Sequence, residues 1–321
     1  MKLGIAGAGM IVKEALPVMK SVNIELGGIC ATKKSEEKLK NLSEEFNIEN
    51  YYTDFEKMLE NEDIDTIYVA LPNILHFEYC KKALIAGKNV ICEKPFTVKF
   101  EELEELNKIA KEKNLILIEA ITTLYLENFL DIKRRVENGE LGDIKVVSAN
   151  YSQYSSRYDN FKKGIISPSF DPKFAGGSLM DLNIYNIQFV CGIFGRPEEV
   201  FYSPVIEKSI DVSGSLVLKY KDFTCTCIGS KVCNCDCHMQ IQGTKAAITM
   251  DRPANECSSY SIFVKGKDSE RFALNKHEHR MTSEFIEFER IIDSKDYLKA
   301  EEMMKKSLIA MEVIDKARRF L

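Results

Sequence analysis

The sequence predicts an α/β fold, with a doubly wound parallel sheet at the N-terminus and a region built on an antiparallel sheet after it. Three observations carry that expectation. Apolar strand-like runs alternate with helix-like runs over the first 120 residues, and beyond about residue 145 strand-like runs follow one another with few helices between them. The first strand-like run also ends in glycines just where a helix begins, the place where a doubly wound sheet binds its ligand. At 321 residues, 45% hydrophobic and 29% charged, the chain can bury two separate cores.

Taken in order, "KLGIAGAG" is an apolar strand ending in glycines, and "IELGGICAT" repeats the pattern after a helical stretch that contains Pro17. "DTIYVALP", "NVICEKP" and "LILIEAI" follow as strands. The segments between them, such as "SEEKLKNLSEEF" and "FEELEELNKIAKEKN", start acidic and end rich in lysine, as a helix dipole favours. Further on, "DIKVVSANYSQYS", "EVFYSPVIE", "VSGSLVLKY", "FTCTCIGSKV", "CDCHMQIQGTKAAITM" and "YSIFVKG" read as strands. Two helical segments, "MTSEFIEFERIID" and "AEEMMKKSLIAMEVIDKARRFL", close the chain. No internal repeat or low-complexity linker interrupts it.

Charge excludes one large class of partner. A net charge of -5 and a pI near 5.7 disfavour a large nucleic-acid footprint, which would need a basic face, so no nucleic-acid partner is expected. Eighteen apolar residues never run together, and the N-terminal "MKLGIAGAGM" enters a strand without a charged-then-apolar leader, so a soluble cytoplasmic protein with no membrane partner is expected. Ten cysteines in such a chain are expected as thiols rather than as a disulfide framework.

Gly7-Ala8-Gly9, followed by Met10 and Ile11 at the start of a helix, forms the phosphate-binding candidate. Absent side chains let the backbone turn tightly and approach a pyrophosphate at the helix N-terminus. The third position of the dinucleotide fingerprint is Val12, and an ordinary glycine turn is the plainer alternative. After the second strand an acidic residue would take the ribose hydroxyls of NAD, but here Ala31-Thr32-Lys33-Lys34 stands. A hydroxyl and cations at Thr32 and Lys33 suit a 2'-phosphate, so NADP is the expected cofactor and NAD the alternative. A lysine-rich solvated helix entry would need no ligand.

Further on, a strand ends at Leu71-Pro72-Asn73, a helix carries His76, and Gly87-Lys88 turns into the strand that ends at Glu93-Lys94-Pro95. Lys94 therefore lies at the carboxyl end of a parallel strand, where open α/β sheets bind ligands; a surface ion pair is the competing account. In "FDPKFAGGSLMDLNIYNIQFVCGIFG", Gly176-Gly177 allows a tight loop and Leu179, Leu182, Ile187 and Val190 recur at helical spacing. Asp181 and Tyr185, four apart, then share one face of that helix.

These motifs together resemble the glucose-fructose oxidoreductase, inositol dehydrogenase and MocA-like family. The likeness covers essentially the whole chain. It rests on Gly7-x-Gly9, Ala70-x-Pro72-Asn73-x-x-His76, Gly87-Lys88-x-Val90, Glu93-Lys94-Pro95, and Gly176-Gly177 followed by Asp181 and Tyr185. The resemblance implies an NAD(P)-binding Rossmann domain over residues 1–121 and a substrate and oligomerisation domain over 122–321. It also implies a large open, mostly antiparallel α+β sheet in the second domain, and a last helix, about 300–321, that packs back on the first. The implied activity is NAD(P)-dependent oxidation or reduction at a CH–OH or carbonyl carbon of a sugar, polyol or dihydrodiol. Implied catalytic residues are Lys94, Asp181 and Tyr185. The implied cofactor set is Gly7, Gly9, Met10, Ile11, Thr32, Lys33, Leu71, Pro72, Asn73, His76, Glu93 and Lys94.

The chain departs from the family in two places. Tyr185 stands where many members carry His, as in the dihydrodiol dehydrogenase and glucose-fructose oxidoreductase branches. Residues 119 to 129 read "EAITTLYLENF" where many relatives have an aromatic, an Arg and a His-Pro pair.

The residue types suit the chemistry. Hydride transfer belongs to the nicotinamide, and the protein must handle one proton on oxygen. Lys94 can stabilise a developing alkoxide, Tyr185 can exchange the proton, with a nearby Lys⁺ favouring its phenolate, and Asp181 can orient Lys94 or a substrate hydroxyl. Cys225, Cys227, Cys233, Cys235, Cys237 and His238 invite a metal site, but their period of two places each set on one face of a strand rather than in a zinc knuckle, and no metal is expected. His277 and His279 read as a polar loop. A nucleotide-binding sensor or scaffold without turnover is the alternative function. A sheet with few helices to cover it, together with the resemblance, gives the expectation of a homodimer, with a tetramer of two such dimers as the alternative.

Overall fold

Six strands form the first sheet in the computed structural model, which describes residues 1–321: β1 (Lys2–Ala6), β2 (Glu25–Cys30), β3 (Tyr51–Tyr52), β4 (Thr66–Val69), β5 (Asn89–Glu93) and β6 (Leu117–Ala120). All are parallel, in the order β3-β2-β1-β4-β5-β6. Such a sheet is covered on both faces, which is why its strands read as continuous apolar runs; every residue of β4 is buried. Between the strands lie α1 (Met10–Ser21), α2 (Glu36–Phe46), α3 (Phe55–Leu59), α4 (His76–Ile85) and α5 (Phe100–Lys113). α2 and α5 stop at Asn47 and Asn114, both left-handed, a conformation asparagine tolerates. The strand order reverses between β1 and β4, so the crevice beyond their carboxyl ends is the sheet's binding position.

The second sheet contains β7 (Ile144–Ser152), β8 (Glu199–Glu207), β9 (Ile210–Lys219), β10 (Thr224–Ser230), β11 (His238–Gly243), β12 (Ala246–Met250), β13 (Tyr260–Val264) and β14 (Glu270–Phe272), in the order β14-β13-β12-β11-β7-β10-β9-β8. Every neighbouring pair is antiparallel except β7 and β10, which run parallel at the centre. The helices of this region are α6 (Glu127–Glu137), α7 (Tyr158–Lys162) and α8 (Ile184–Phe194), and α9 (Thr282–Asp293) and α10 (Tyr297–Arg318) end the chain. Burial alternates along β9 and β10, where Leu216, Leu218, Cys225 and Cys227 are fully buried and Ile228 is exposed; Val146 of β7, Phe201 of β8 and Phe263 of β13 are exposed as well. One face of this sheet is a core, and the other is open and carries large apolar side chains.

The sequence expectation for the second cysteine set is corrected here. Cys225 and Cys227 do share the buried face of β10, but Cys233, Cys235 and Cys237 lie in irregular chain before β11. The reason is topological. β10 and β11 flank β7 on opposite sides, so residues 231–237 must cross the end of β7, where the Lys231 carbonyl accepts from the Ser155 N–H and the Asn234 side-chain oxygen from the Tyr154 N–H.

Two compact units result. Met1–Ala120 join Met281–Leu308 in the first, and Ile121–Arg280 join Ile309–Leu321 in the second. The first therefore takes in α9 and the greater part of α10 as well as the parallel sheet. No helix is long and apolar enough to cross a membrane.

Candidate active site

In the first unit, the β1–α1 turn, the end of β2 and the end of β4 enclose a cavity of about 400 Å³ lined by Gly7, Ala8, Gly9, Ala31, Thr32, Ser35, Ala70, Leu71 and Pro72, with Cys30, Thr53, Phe55, Leu75 and Tyr79 completing the wall. Gly7 has φ +130°, and a Cβ there would lie 2.2 Å from the carbonyl oxygen of Ala70, so the turn tolerates only glycine. Gly9 is the N-cap of α1 and has no side-chain cap, which leaves the first helical N–H groups without a side-chain acceptor at that position. Met10 is largely exposed beside them, and Ile11 is half-buried.

The cavity brings Gly7, Gly9, Thr32, Leu71 and Pro72 together. Lys33 and Asn73 are not among its lining residues. Lys38, which belongs to none of the sequence motifs, extends its Nζ from α2 to the carbonyl oxygen of Ala8. The ring pair Phe55–Tyr79, with centroids 4.6 Å apart, was also missed. Only folding reveals these residues, because nothing in their spacing links α2, α3 and α4 to the glycine turn.

His76 and Glu93 sit behind the cavity's loops. His76 is completely buried, its Nδ1 2.9 Å from the Pro95 carbonyl and its Nε2 2.8 Å from that of Leu71, so it ties the two loops to each other. Burial pushes the imidazole below its usual pKa range, while the two carbonyls pull the other way and only partly offset it. Glu93 accepts a 2.5 Å bond from the buried Tyr68 hydroxyl and a 3.3 Å bond from the Lys94 backbone N–H. Burial, with the Glu93 charge, holds the Tyr68 phenol well above its usual range. Lys94 follows β5 directly, joined to Pro95 by a cis peptide bond, and the Phe96 N–H donates to buried Glu119 at 3.1 Å. Glu119 in turn accepts from Ser307 at 2.6 Å. Two buried carboxylates thus fix the backbone on either side of Lys94.

In the second unit, Gly177 has φ +107°, and a Cβ there would fall 1.9 Å from Asp211 Oδ1. Asp211 Oδ2 accepts from the Leu179 N–H at 2.7 Å and the Tyr202 hydroxyl at 2.8 Å. Burial, against these donors and Lys231, raises the Asp211 carboxyl to about 6.

The expected α-helical face for Asp181 and Tyr185 is modified: Leu179–Asn183 is a π-helix that passes into α8, with Asp181 on the wide turn and Tyr185 in α8. Asn183 and Asn186 donate to the Cys227 and Ile228 carbonyls of β10, drawing the turn onto the sheet where Gly229 gives it room. Such wide turns are frequent at functional sites. Asp181 Oδ2 lies 2.8 Å from Lys231 Nζ, and the Tyr185 ring is 5.9 Å from that of Tyr151. All ten cysteines are free, and no three His, Cys, Asp or Glu side chains gather so as to hold a metal ion.

A glycine-lined crevice at the switch point of a parallel sheet, joined in one chain to an open mostly antiparallel sheet, defines a nicotinamide dinucleotide-binding oxidoreductase of two-sheet type. Comparison with known proteins agrees in both halves: residues 1–121 match the oxidoreductase family model with an NAD-binding Rossmann fold, and residues 129–249 match the GFO/IDH/MocA C-terminal domain. The chain belongs to the Gfo/Idh/MocA family of oxidoreductases. It is 30% identical to the scyllo-inositol 2-dehydrogenase (NADP(+)) IolU of Bacillus subtilis, over 89% of this chain and 87% of that one. It is 29% identical to the trans-1,2-dihydrobenzene-1,2-diol dehydrogenase of Xenopus tropicalis, over 83% and 79%. The fold is shared with KijD10, a 3-ketoreductase from Actinomadura kijaniata solved with NADP, at 23% identity and a TM-score of 0.83 over 99% of this chain and 96% of that one.

Proposed function

We propose that this NAD(P)-binding oxidoreductase is an NADP-dependent dehydrogenase or reductase acting on a hydroxyl or carbonyl carbon of a polyol, sugar or dihydrodiol. The observation that carries the reading is Lys94, held directly after β5 by a backbone that buried Glu93 and Glu119 fix on both sides. The names of the relatives, an inositol dehydrogenase that takes NADP and dihydrodiol dehydrogenases, supply the substrate class.

The crevice fits a dinucleotide. Gly7 and Gly9 leave space where side chains would stand, the α1 N-terminus favours a pyrophosphate with Met10 and Ile11 beside it, and no carboxylate follows β2. Thr32 and Lys33, with Lys38 from α2, would hold a 2'-phosphate; Leu71, Pro72 and Asn73 would border the cofactor, and His76 and Glu93 would keep their loops in place. When bound, the nicotinamide gives or takes the hydride. In this reading Lys94 polarises the reacting oxygen as a fixed cation, Tyr185 exchanges the proton on it, and Asp181 orients Lys94 or a substrate hydroxyl. Residues 1–121 serve as the nucleotide domain and 122–321 as the substrate domain, whose open sheet face pairs two chains in a homodimer. Ten free thiols suit the cytoplasm.

The test is turnover of NADP and NAD with scyllo-inositol, trans-1,2-dihydrobenzene-1,2-diol and a panel of aldoses. Lys94→Met should lower kcat by about 10²–10³-fold while NADPH binding, followed by its fluorescence, stays within a few-fold. Binding without turnover across the panel, or an active Met variant, overturns the reading.

A further inference from the structure

Lys231 carries a charge into a fully buried place. Its side chain is 2% exposed, its Nζ lies 2.8 Å from Asp181 Oδ2, it donates to the Ser169 carbonyl, and its ammonium stands 4.3 Å from the Phe170 ring centroid. Its backbone is held on both sides, with its N–H on the Val212 carbonyl and its own carbonyl accepting from Ser155, each at 2.9 Å. Among the charged groups facing it are Asp181 on the π-helical turn and Asp211 on β9.

The pair is asymmetric: the cation is sealed, whereas the Asp181 side chain is 33% exposed. Burying an ammonium costs several kcal/mol unless it is paired and bonded, and here Asp181 and the Ser169 carbonyl supply that pairing. The arrangement fixes a carboxylate at the rim. Asp211 and Lys231 act on the turn together, one taking the Leu179 N–H and the other the Asp181 carboxylate.

We propose that Lys231 is the positioning residue of this site, holding Asp181 ionised and aimed from the π-helical turn so that its carboxylate can orient a substrate hydroxyl. This rests on the assignment of Asp181 made above.

Lys231→Gln keeps a donor for the Ser169 carbonyl and removes the charge. With NADP and scyllo-inositol, the variant should lose at least tenfold in kcat, bind NADPH within twofold of wild type, and move the acid limb of its pH profile to higher pH by about one unit, because the neighbouring cation no longer favours the carboxylate. Lys231→Arg should recover most of the activity and the wild-type profile. A folded Lys231→Gln with the wild-type profile overturns the proposal. Should that variant unfold, Asp181→Asn is compared with Asp181→Asn/Lys231→Gln, in which neither charge is left alone; if Lys231 acts through Asp181, the second change alters kcat by less than about twofold, and a larger further loss overturns the proposal. If wild type turns over no member of the panel named above, the functional assignment fails by itself. The positioning is then judged from the Asp181 carboxylate ¹³C resonance, identified by its loss in Asp181→Asn: it should shift in Lys231→Gln and return in Lys231→Arg, and an unmoved resonance overturns it.

Discussion

Gly7 and Ala70 approach so closely that a Cβ on Gly7 would sit 2.2 Å from the Ala70 carbonyl oxygen, whereas a Cβ on Gly9, two residues on, would meet nothing within 4 Å. The two glycines of one turn therefore answer to different demands. The first lets β1 and β4 close at the switch point, and the second keeps space open above α1.

Their substitutions should separate accordingly. Gly7→Ala, with a clash and a positive φ, is expected to lower unfolding free energy by about 2–4 kcal/mol. Gly9→Ala should unfold in urea within about 0.5 kcal/mol of wild type and yet bind NADPH at least tenfold more weakly. Wild-type affinity in the Gly9 variant would remove the pyrophosphate from that turn.

Ala31 lines the crevice at the end of β2, and the proposed preference for NADP makes it the position to test. Fluorescence titration should find NADPH bound more tightly than NADH by wild type, and Ala31→Asp should reverse the order, since a carboxylate repels the 2'-phosphate and accepts from ribose hydroxyls. Equal wild-type affinities would contradict this.

Asp211 gives stability a pH dependence of unusual sign. Its carboxyl is raised from 3.8 to about 6 in the folded chain, so the native state holds the proton more tightly than the unfolded one. Its contribution is complete below about pH 4 and is lost as pH rises through 6, by at most about 3 kcal/mol. Asn at this position can still accept from Leu179 and Tyr202. Urea unfolding from pH 4 to 7 should therefore show wild type losing stability relative to Asp211→Asn; a constant difference would refute the shift.

The open face of the second sheet presents Phe201, Ile228 and Phe263. Light scattering at micromolar concentration should report a dimer or a tetramer, and Ile228→Lys with Phe201→Lys should shift it toward the 36.6 kDa of one chain. A wild-type mass of one chain would leave that face without a second copy.

Much of the first sheet was legible, because strands buried on both faces must be continuous apolar runs, and a glycine turn and Lys94 at strand ends mark its ligand side. In the second unit the strands and the Asp181–Tyr185 pair were legible, but not the contacts that shape the turn carrying them. The π-helical turn depends on Asn183 and Asn186 bonding to carbonyls of β10, and Lys231 meets Asp181 only after the chain has passed through the three strands β8, β9 and β10 between them. Cys233 to Cys237 imitate strand periodicity in a crossing that topology forbids from pairing. Lys38 has the look of any solvated helical lysine until the fold brings Ala8 beneath it.

The parallel sheet and its closing segment, Met281–Leu308, lie at opposite ends of the chain's order of manufacture. On a ribosome adding about 5–20 residues per second, β1 to β6 emerge and then wait about ten seconds or more while the intervening unit is made. Through that interval the surface that α9 will cover, including the fully buried Tyr68 whose ring meets Phe285 edge-on, has no partner from its own chain. The portion translated first is thus completed almost last, and a nascent chain stalled before Met281 leaves the ribosome with an unfinished nucleotide-binding unit and apolar surface for chaperones to guard.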